Sequence, residues 1–404
     1  MSKVFKIGLF ILLVGNLQAQ HLFEHTYPVV QQEDVKIRQL MDQVSKDRLE
    51  ATINHMQGYH TRRWDSRMVY EVENWLYETY RGMDFDTVFL HDFVFMHHDT
   101  LRETSDNVIA IQRGTLYPDE YVVCGAHYDS YNRDPGHPDS LWAPGADDNA
   151  SGTAGIVETA RLLSRCTFER SIMYCGWAAE EVGLKGSEAF AKDCAENMVD
   201  IVGYFNLDMI GYLEEGREIQ VNLMYTTRDS IIADYVYGFS GVYYPEMPIW
   251  QDWLSGSDSD YSSFNRSGYA AVHTFENVHH HSPYIHTTSD VLGMSVNNMD
   301  QAKRFTELNL GLVATLAGII SNGVDDMSDE GFVVYPNPAS GTLTVKGIPM
   351  KEVSIYDLLG QKVRKETCHD SVIQLDITSL VAGVYVLCVI DDAMNVHSHR
   401  EVIY

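Results

Sequence analysis

The sequence predicts an α/β fold, a mixed and largely parallel sheet flanked by helices, followed by a small all-β sandwich. Two patterns carry this expectation. Short apolar runs such as "NVIAIQRG", "EYVVCGAHYDS", "RSIMYCGWAAEE" and "IVGYFNLDMIGY" alternate with helical stretches such as "ASGTAGIVETARLLSRC", the arrangement of strands covered on both faces. Beyond residue 330 the pattern becomes short alternating strands broken by Gly, Pro and Asn turns, which reads as a sandwich.

The elements follow in order. "MSKVFKIGLFILLVGNLQAQ" has a positive start at Lys3 and Lys6, an apolar run, and a small residue at Ala19. The run is too short to span a membrane, so residues 1–19 read as a signal peptide. No later stretch is long and apolar enough to be a transmembrane segment. Residues 20–104 open with a helical region: "VKIRQLMDQVSKDRLEATINHM" and "SRMVYEVENWLYETYRGM" repeat apolar residues every three or four positions. The strand-and-helix pattern fills residues 105–322. A polar, acidic linker covers 323–330, and the β-rich tail covers 331–404.

The chain has 404 residues, 45% of them apolar, enough for a large core and more than one domain. Its 29 basic and 57 acidic residues give a net charge of −28. Such a surface repels nucleic acid and anionic lipid, so neither is expected as a partner. The six cysteines form no C-x-x-C pair and are too scattered for a disulfide scaffold. Cys124 and Cys175 read as buried thiols; Cys166–Cys194 and Cys368–Cys388 are open as pairings.

Strand ends carry the chemistry. His127 and Asp129 follow "YVVCGA", Glu180 and Glu181 follow "IMYCGWAA", Asp208 follows "IVGYFNL", and Asp147 and Asp148 open a helix. Ligands of an open α/β sheet collect beyond the carboxyl ends of its strands. Several carboxylates on that edge repel one another unless a cation sits among them. Nitrogen and carboxylate oxygen suit zinc, and a bridging carboxylate suits a two-ion hydrolytic centre. Adjacent Glu180 and Glu181 point in different directions, so one can bind metal while the other acts as a base. In "H-x-D", Asp129 can fix the tautomer of His127.

The motifs "GAHYDS", "APGADDNASG", "AAEEVGLKGS", "NLDMIGY" and "YIHTTSD", in that order, resemble those of the co-catalytic zinc aminopeptidases, a clan that includes glutamate carboxypeptidase, glutaminyl cyclase and the transferrin receptor. The resemblance implies a zinc exopeptidase fold over residues 105–320 and two zinc ions. It makes Asp148 the bridging ligand, His127 and Asp208 the further ligands of one ion, and Glu181 and His286 those of the other. It makes Glu180 the general base and Asp129 the partner of His127. Peptides or proteins with a free N-terminus are then the substrates. His279, His280 and His281 match no ligand and read as loop residues near the site. Met209, Phe275 and Ile285, beside ligand motifs, are candidates for a substrate pocket or for core. Asp258 and Asp260 read as supporting residues.

"VYPNPASGTLTV", "VSIYDLLGQKV" and "LDITSLVAGVYVL" resemble the type IX secretion C-terminal sorting domain. That implies contact with the secretion machinery and a secreted or cell-surface location in a Gram-negative bacterium. The tail ends "HSHREVIY" instead of in a Lys-rich strand, which leaves its cleavage open. A carbohydrate- or protein-binding sandwich is the alternative. For the catalytic region the alternatives are a glutaminyl cyclase, a carboxypeptidase or dipeptidase, and a non-enzymatic receptor-like module.

Overall fold

The computed structural model describes residues 21–404 apart from 135, 139–140, 253–258, 322–331, 336–338, 340, 348, 358–360, 369, 392–395 and 404. The expected signal peptide and linker, and Asp258, lie outside the described residues. Two compact units result. The first covers residues up to Ser164 and Phe168–Ile319; the second covers Ile320–Tyr404 together with Arg165–Thr167.

The predicted N-terminal helical region resolves into α1 (Val35–Met41), α2 (Lys46–Gln57) and α3 (Arg67–Arg81). Asp34, Ser45 and Ser66 cap them, each side chain accepting from a first-turn backbone N–H. α3 buries Val69, Val72, Leu76 and Tyr80, spaced three or four apart. Before α1, residues 21–34 tie down at the amino end of a central strand: His25 pairs with Asp200 at 2.7 Å and Tyr27 Oη donates to Val202 O at 2.8 Å.

Then come β1 (Thr87–His91), the hairpin β2 (Val94–His97) and β3 (Thr100–Glu103), β4 (Asn107–Gln112), β5 (Tyr117–His127), α4 (Gly152–Leu163), β6 (Thr167–Phe168), β7 (Arg170–Trp177), α5 (Lys185–Glu196), β8 (Asp200–Leu207), β9 (Val221–Met224), α6 (Ser230–Tyr243), β10 (Ile249–Asp252), α7 (Tyr261–Arg266), β11 (Ala271–Phe275), α8 (Met299–Ala317) and β12 (Ile319–Ser321). The central sheet runs β1-β4-β7-β5-β8-β11-β9-β10. Its heart, β7-β5-β8-β11, is parallel, while β1–β4, β4–β7 and β9–β11 are antiparallel. β1 belongs to residues 20–104, so that region supplies an edge of the sheet as well as helices.

Met173, Cys175 and Trp177 alternate along β7 into one core cluster, with Phe190 and Cys194 of α5 and Phe264 of α7. All six cysteines are free thiols, so neither open pairing forms. No described helix is long and apolar enough to cross a membrane.

The second unit continues with β13 (Phe332–Tyr335), β14 (Thr342–Gly347), β15 (Met350–Tyr356), β16 (Lys362–Thr367), β17 (Val372–Asp376), β18 (Gly383–Asp391) and β19 (Val396–Ile403). They form the sheets β13-β14-β17 and β16-β15-β18-β19, antiparallel throughout. Leu343, Val345, Val353, Ile355, Leu387 and Val389 from the two sheets share one core, the sandwich that the alternation predicts.

Candidate metal centre

The parallel strands β7, β5 and β8 are neighbours, so their carboxyl ends bring His127, the Glu180–Glu181 pair and Asp208 to one edge. Asp148 enters from the loop before α4. It points one carboxylate oxygen each way: Oδ1 lies 3.2 Å from His127 Nε2, and Oδ2 lies 3.0 Å from His286 Nε2. Asp208 Oδ1 is 3.6 Å from His127 Nε2, and Glu181 Oε2 is 2.9 Å from His286 Nε2. Among the described residues two three-residue groups result, His127–Asp148–Asp208 and Asp148–Glu181–His286, each with ligand atoms within 4.8 Å of one another.

The donor set fits zinc. Ligands at about 2.0–2.1 Å from a tetrahedral ion lie roughly 3.3 Å apart, close to the spacings found. His127 Nε2, Glu181 Oε1 and Asp208 Oδ1 are buried without a hydrogen-bond partner, a costly arrangement that a bound cation relieves.

The charges are strongly perturbed in the absence of metal. Burial, with Asp148 alongside, pushes Glu181 up to about 7. Burial also raises Glu180 well above the ordinary range, reinforced by Glu181, Asp260 and Asp208 against the opposing pull of His127. For His286, burial opposes the charge, but Glu181 and Asp148 outweigh it and raise the ring to about 11. Burial works against the Asp148 anion too, yet the two histidines hold its carboxyl well below the usual range. Clusters of this kind mark functional sites.

Supporting residues fix the geometry. Asp129 Oδ1 accepts the Glu180 N–H at 3.1 Å and Oδ2 accepts the Glu181 N–H at 3.2 Å. The same Oδ1 lies 3.3 Å from His127 Nδ1. Asp129 thus joins the histidine expected of it to both glutamates. Asp290, the last residue of "HTTSD", accepts the Asp147 and Asp148 N–H groups at 2.8 and 3.2 Å. Asp147 Oδ1 accepts from Gly211 N at 2.8 Å, tying the α4 loop to the segment after β8. Trp177 Nε1 donates to Tyr204 Oη, which donates to Asn206 Oδ1; Asn206 Nδ2 donates to Ser259 Oγ, which donates to Asp208 Oδ2, all within 2.6–2.8 Å. Asp260 is fully buried beside these residues; burial, with Asp208 and Asp129, pushes it up to about 7 against His127.

Arg62 carried no signal in the sequence. It is fully buried, and its guanidinium donates to Tyr128 O, Met56 O, Pro144 O and Gly145 O. The cation holds the end of β5 and the loop before Asp148 together. Backbone strain collects nearby: Ala179, Met209 and His286 take φ of 54°, 52° and 56°, a region that costs non-glycine residues about 1–3 kcal/mol each. Gly152 is required by close approach, since a Cβ there would lie 2.4 Å from Leu207 O.

A cavity of about 280 Å³ adjoins the cluster. It is lined by Asp148, Glu180, Glu181, Asp208 and His286, by the pocket candidates Met209, Phe275 and Ile285, and by His273 and His281. His281 therefore lines the cavity, with Nδ1 2.8 Å from Val278 O. His279 is exposed, and His280 pairs with Glu214 at 2.8 Å. His273, on β11, had no sequence motif to announce it.

Known proteins agree with this architecture. The chain is 27% identical to leucine aminopeptidase 1 of Coccidioides posadasii over 304 residues, covering 72% of this chain and 77% of that protein. The crystal structure of the Legionella pneumophila LapA aminopeptidase matches with a TM-score of 0.62 at 22% identity, over 73% of this chain and 78% of that one. Fimbriiglobus ruber glutaminyl cyclase matches with a TM-score of 0.56 at 16% identity, over 68% and 96%. These two structures share the fold. A profile for a secretion system C-terminal sorting domain matches residues 333–403. The profile of Peptidase family M28 matches residues 107–313, just over half of the chain, and the chain belongs to that family.

Proposed function

We propose that the chain is an exported two-zinc aminopeptidase with Glu180 as its general base. In this reading His127, Asp148 and Asp208 hold one ion, and Asp148, Glu181 and His286 hold the other. The observation that carries it is the pair of three-residue groups joined through Asp148, with Glu180 lining the same cavity. Similarity to leucine aminopeptidase 1 favours an N-terminal peptide bond as the target.

Zinc, when bound, supplies a Lewis acid for the scissile carbonyl and lowers the pKa of water at the site. Glu180 takes a proton from the attacking water and returns it to the leaving amine. Its carboxylate lines the same cavity as the ligand candidates, within reach of a water held there. Asp129, holding the Glu180 and Glu181 N–H groups, keeps the base and its neighbouring ligand in register. Met209, Phe275 and Ile285 give the first residue's side chain an apolar wall.

Residues 1–19 serve as the export signal, 20–104 complete the catalytic unit at 105–322, and 323–330 link it to the sorting domain at 331–404. That tail directs passage across the outer membrane of a Gram-negative cell.

The test uses purified mature protein with zinc and a set of unblocked peptides, some starting with Gln, followed by mass. Stepwise loss of the first residue, blocked by N-acetylation, is expected. Loss of ammonia from the Gln peptides alone would make the protein a cyclase. Failure to bind zinc at all would favour a receptor-like module.

A further inference from the structure

The loop after β5 carries an arginine with no acidic partner among the described residues. Arg133 is exposed, and its backbone N–H donates to His286 O at 2.8 Å. Its guanidinium carbon lies 5.6 Å from the Tyr131 ring centroid, and the Tyr131 ring meets the His286 ring edge-on at 5.4 Å. The adjacent carboxylate is committed elsewhere: Asp134 Oδ2 accepts from Thr288 N at 2.8 Å and Thr288 Oγ1 at 2.6 Å. In a chain with 57 acidic and 29 basic residues, Arg133 is a cation with no ion pair among the described residues whose backbone is bonded to a residue lining the acidic cavity. Among the described residues no lysine or arginine lines the cavity itself.

We infer that Arg133 binds a substrate carboxylate located just beyond the scissile bond. The inference rests on the aminopeptidase reading. The carboxylate has two sources, the terminus of a short peptide or an acidic side chain following the bond. Guanidinium matches either through a two-pronged hydrogen bond, and stacking on Tyr131 limits the freedom of a long side chain. Distance favours the assignment. The two ring contacts in series keep the guanidinium within about 11 Å of the His286 ring, and an extended peptide spans about 3.3–3.6 Å per residue. Two or three residues past the bond cover that gap.

The experiment compares kcat/KM of the zinc-loaded full-length enzyme on two pairs of unblocked peptides. One pair is Leu-Gly-Gly as free acid and as C-terminal amide. The other is Leu-Gly-Asp amide and Leu-Gly-Asn amide. Wild type is expected to favour the carboxylate member of at least one pair by about three- to tenfold, mostly through KM. Arg133→Ala is expected to abolish that preference while cleaving the neutral member at the wild-type rate; Arg133→Lys keeps part of it. Preference in the first pair alone assigns the terminus, and in the second alone the side chain. Equal ratios in wild type and Arg133→Ala, with all four peptides cleaved, overturn the inference and leave the aminopeptidase reading standing. No cleavage of any peptide by wild type overturns both.

Discussion

Asp148 Oδ2 lies 3.0 Å from His286 Nε2, while the other oxygen of the same carboxylate faces His127. One side chain thus belongs to both candidate metal-binding groups. Asp148→Asn removes an anionic ligand from each, so zinc content is expected to fall for both ions together, with loss of activity. Elemental analysis of purified protein checks this. A variant that keeps two zincs per chain would show that Asp148 is not shared.

Asp129 is not itself a proposed ligand, yet it lies against the His127 ring and holds both glutamates by their backbone. Partners of this kind typically change metal affinity or activity by about 10- to 100-fold when removed. Asp129→Ala is expected to lower kcat and weaken zinc binding by amounts in that range. An unchanged zinc titration and kcat would reduce Asp129 to a structural residue.

Without metal, the site makes stability depend on pH in a defined direction. Glu181 is pushed up to about 7 from 4.5, mainly by burial, and His286 is raised from 6.5 to about 11 by Glu181 and Asp148 despite burial. Glu181 keeps a proton in the folded state that the unfolded chain releases between about pH 4.5 and 7, and His286 does the same between about pH 6.5 and 11. The folded state therefore binds more protons, and stability falls as pH rises between about pH 5 and pH 8. Zinc displaces these protons, so its stabilising effect is expected to grow over the same window. Melting temperatures of chelator-treated and zinc-loaded protein measure this. A metal-free melting temperature that climbs from pH 5.5 to 8 contradicts it.

Arg62 ties residues 56, 128, 144 and 145 together from inside the protein. Burial lowers its pKa to about 10, yet Asp290, Asp129, Asp148 and Glu181 nearby keep it charged at neutral pH. Arg62→Met strands several buried carbonyls at about 1–3 kcal/mol each. A loss of stability of about 3 kcal/mol or more is expected in denaturant unfolding. A loss under about 1 kcal/mol would mean that those carbonyls find other partners.

The sequence made some of this legible for physical reasons. Metal chemistry demands particular residue types at strand ends and helix starts, so His127, Asp148, Glu181 and Asp208 stood out; His286 was marked by the family resemblance of "YIHTTSD", and all five come together in space. Alternating apolar runs exposed the parallel sheet and the β-rich tail. What stayed hidden acts through contacts distant along the chain. Arg62 sits 66 residues from the Tyr128 carbonyl it binds, and a lone arginine in a turn resembles any solvated one. Ser259 reaches Asp208 across 51 residues. His273 lies within an apolar strand, where a buried histidine has no period or spacing to mark it. The apolar run "DTVFLHDFVF" reads as a strand within residues 20–104, but only sheet pairing shows that β1 forms the edge beside β4.

In the proposed mechanism Glu180 moves the proton while its neighbours hold the metal. The most direct measurement is kcat of Glu180→Gln beside its zinc content. Two zincs per chain are expected, as in wild type, with turnover lower by about 100-fold or more. Near wild-type turnover in a zinc-loaded variant would contradict it.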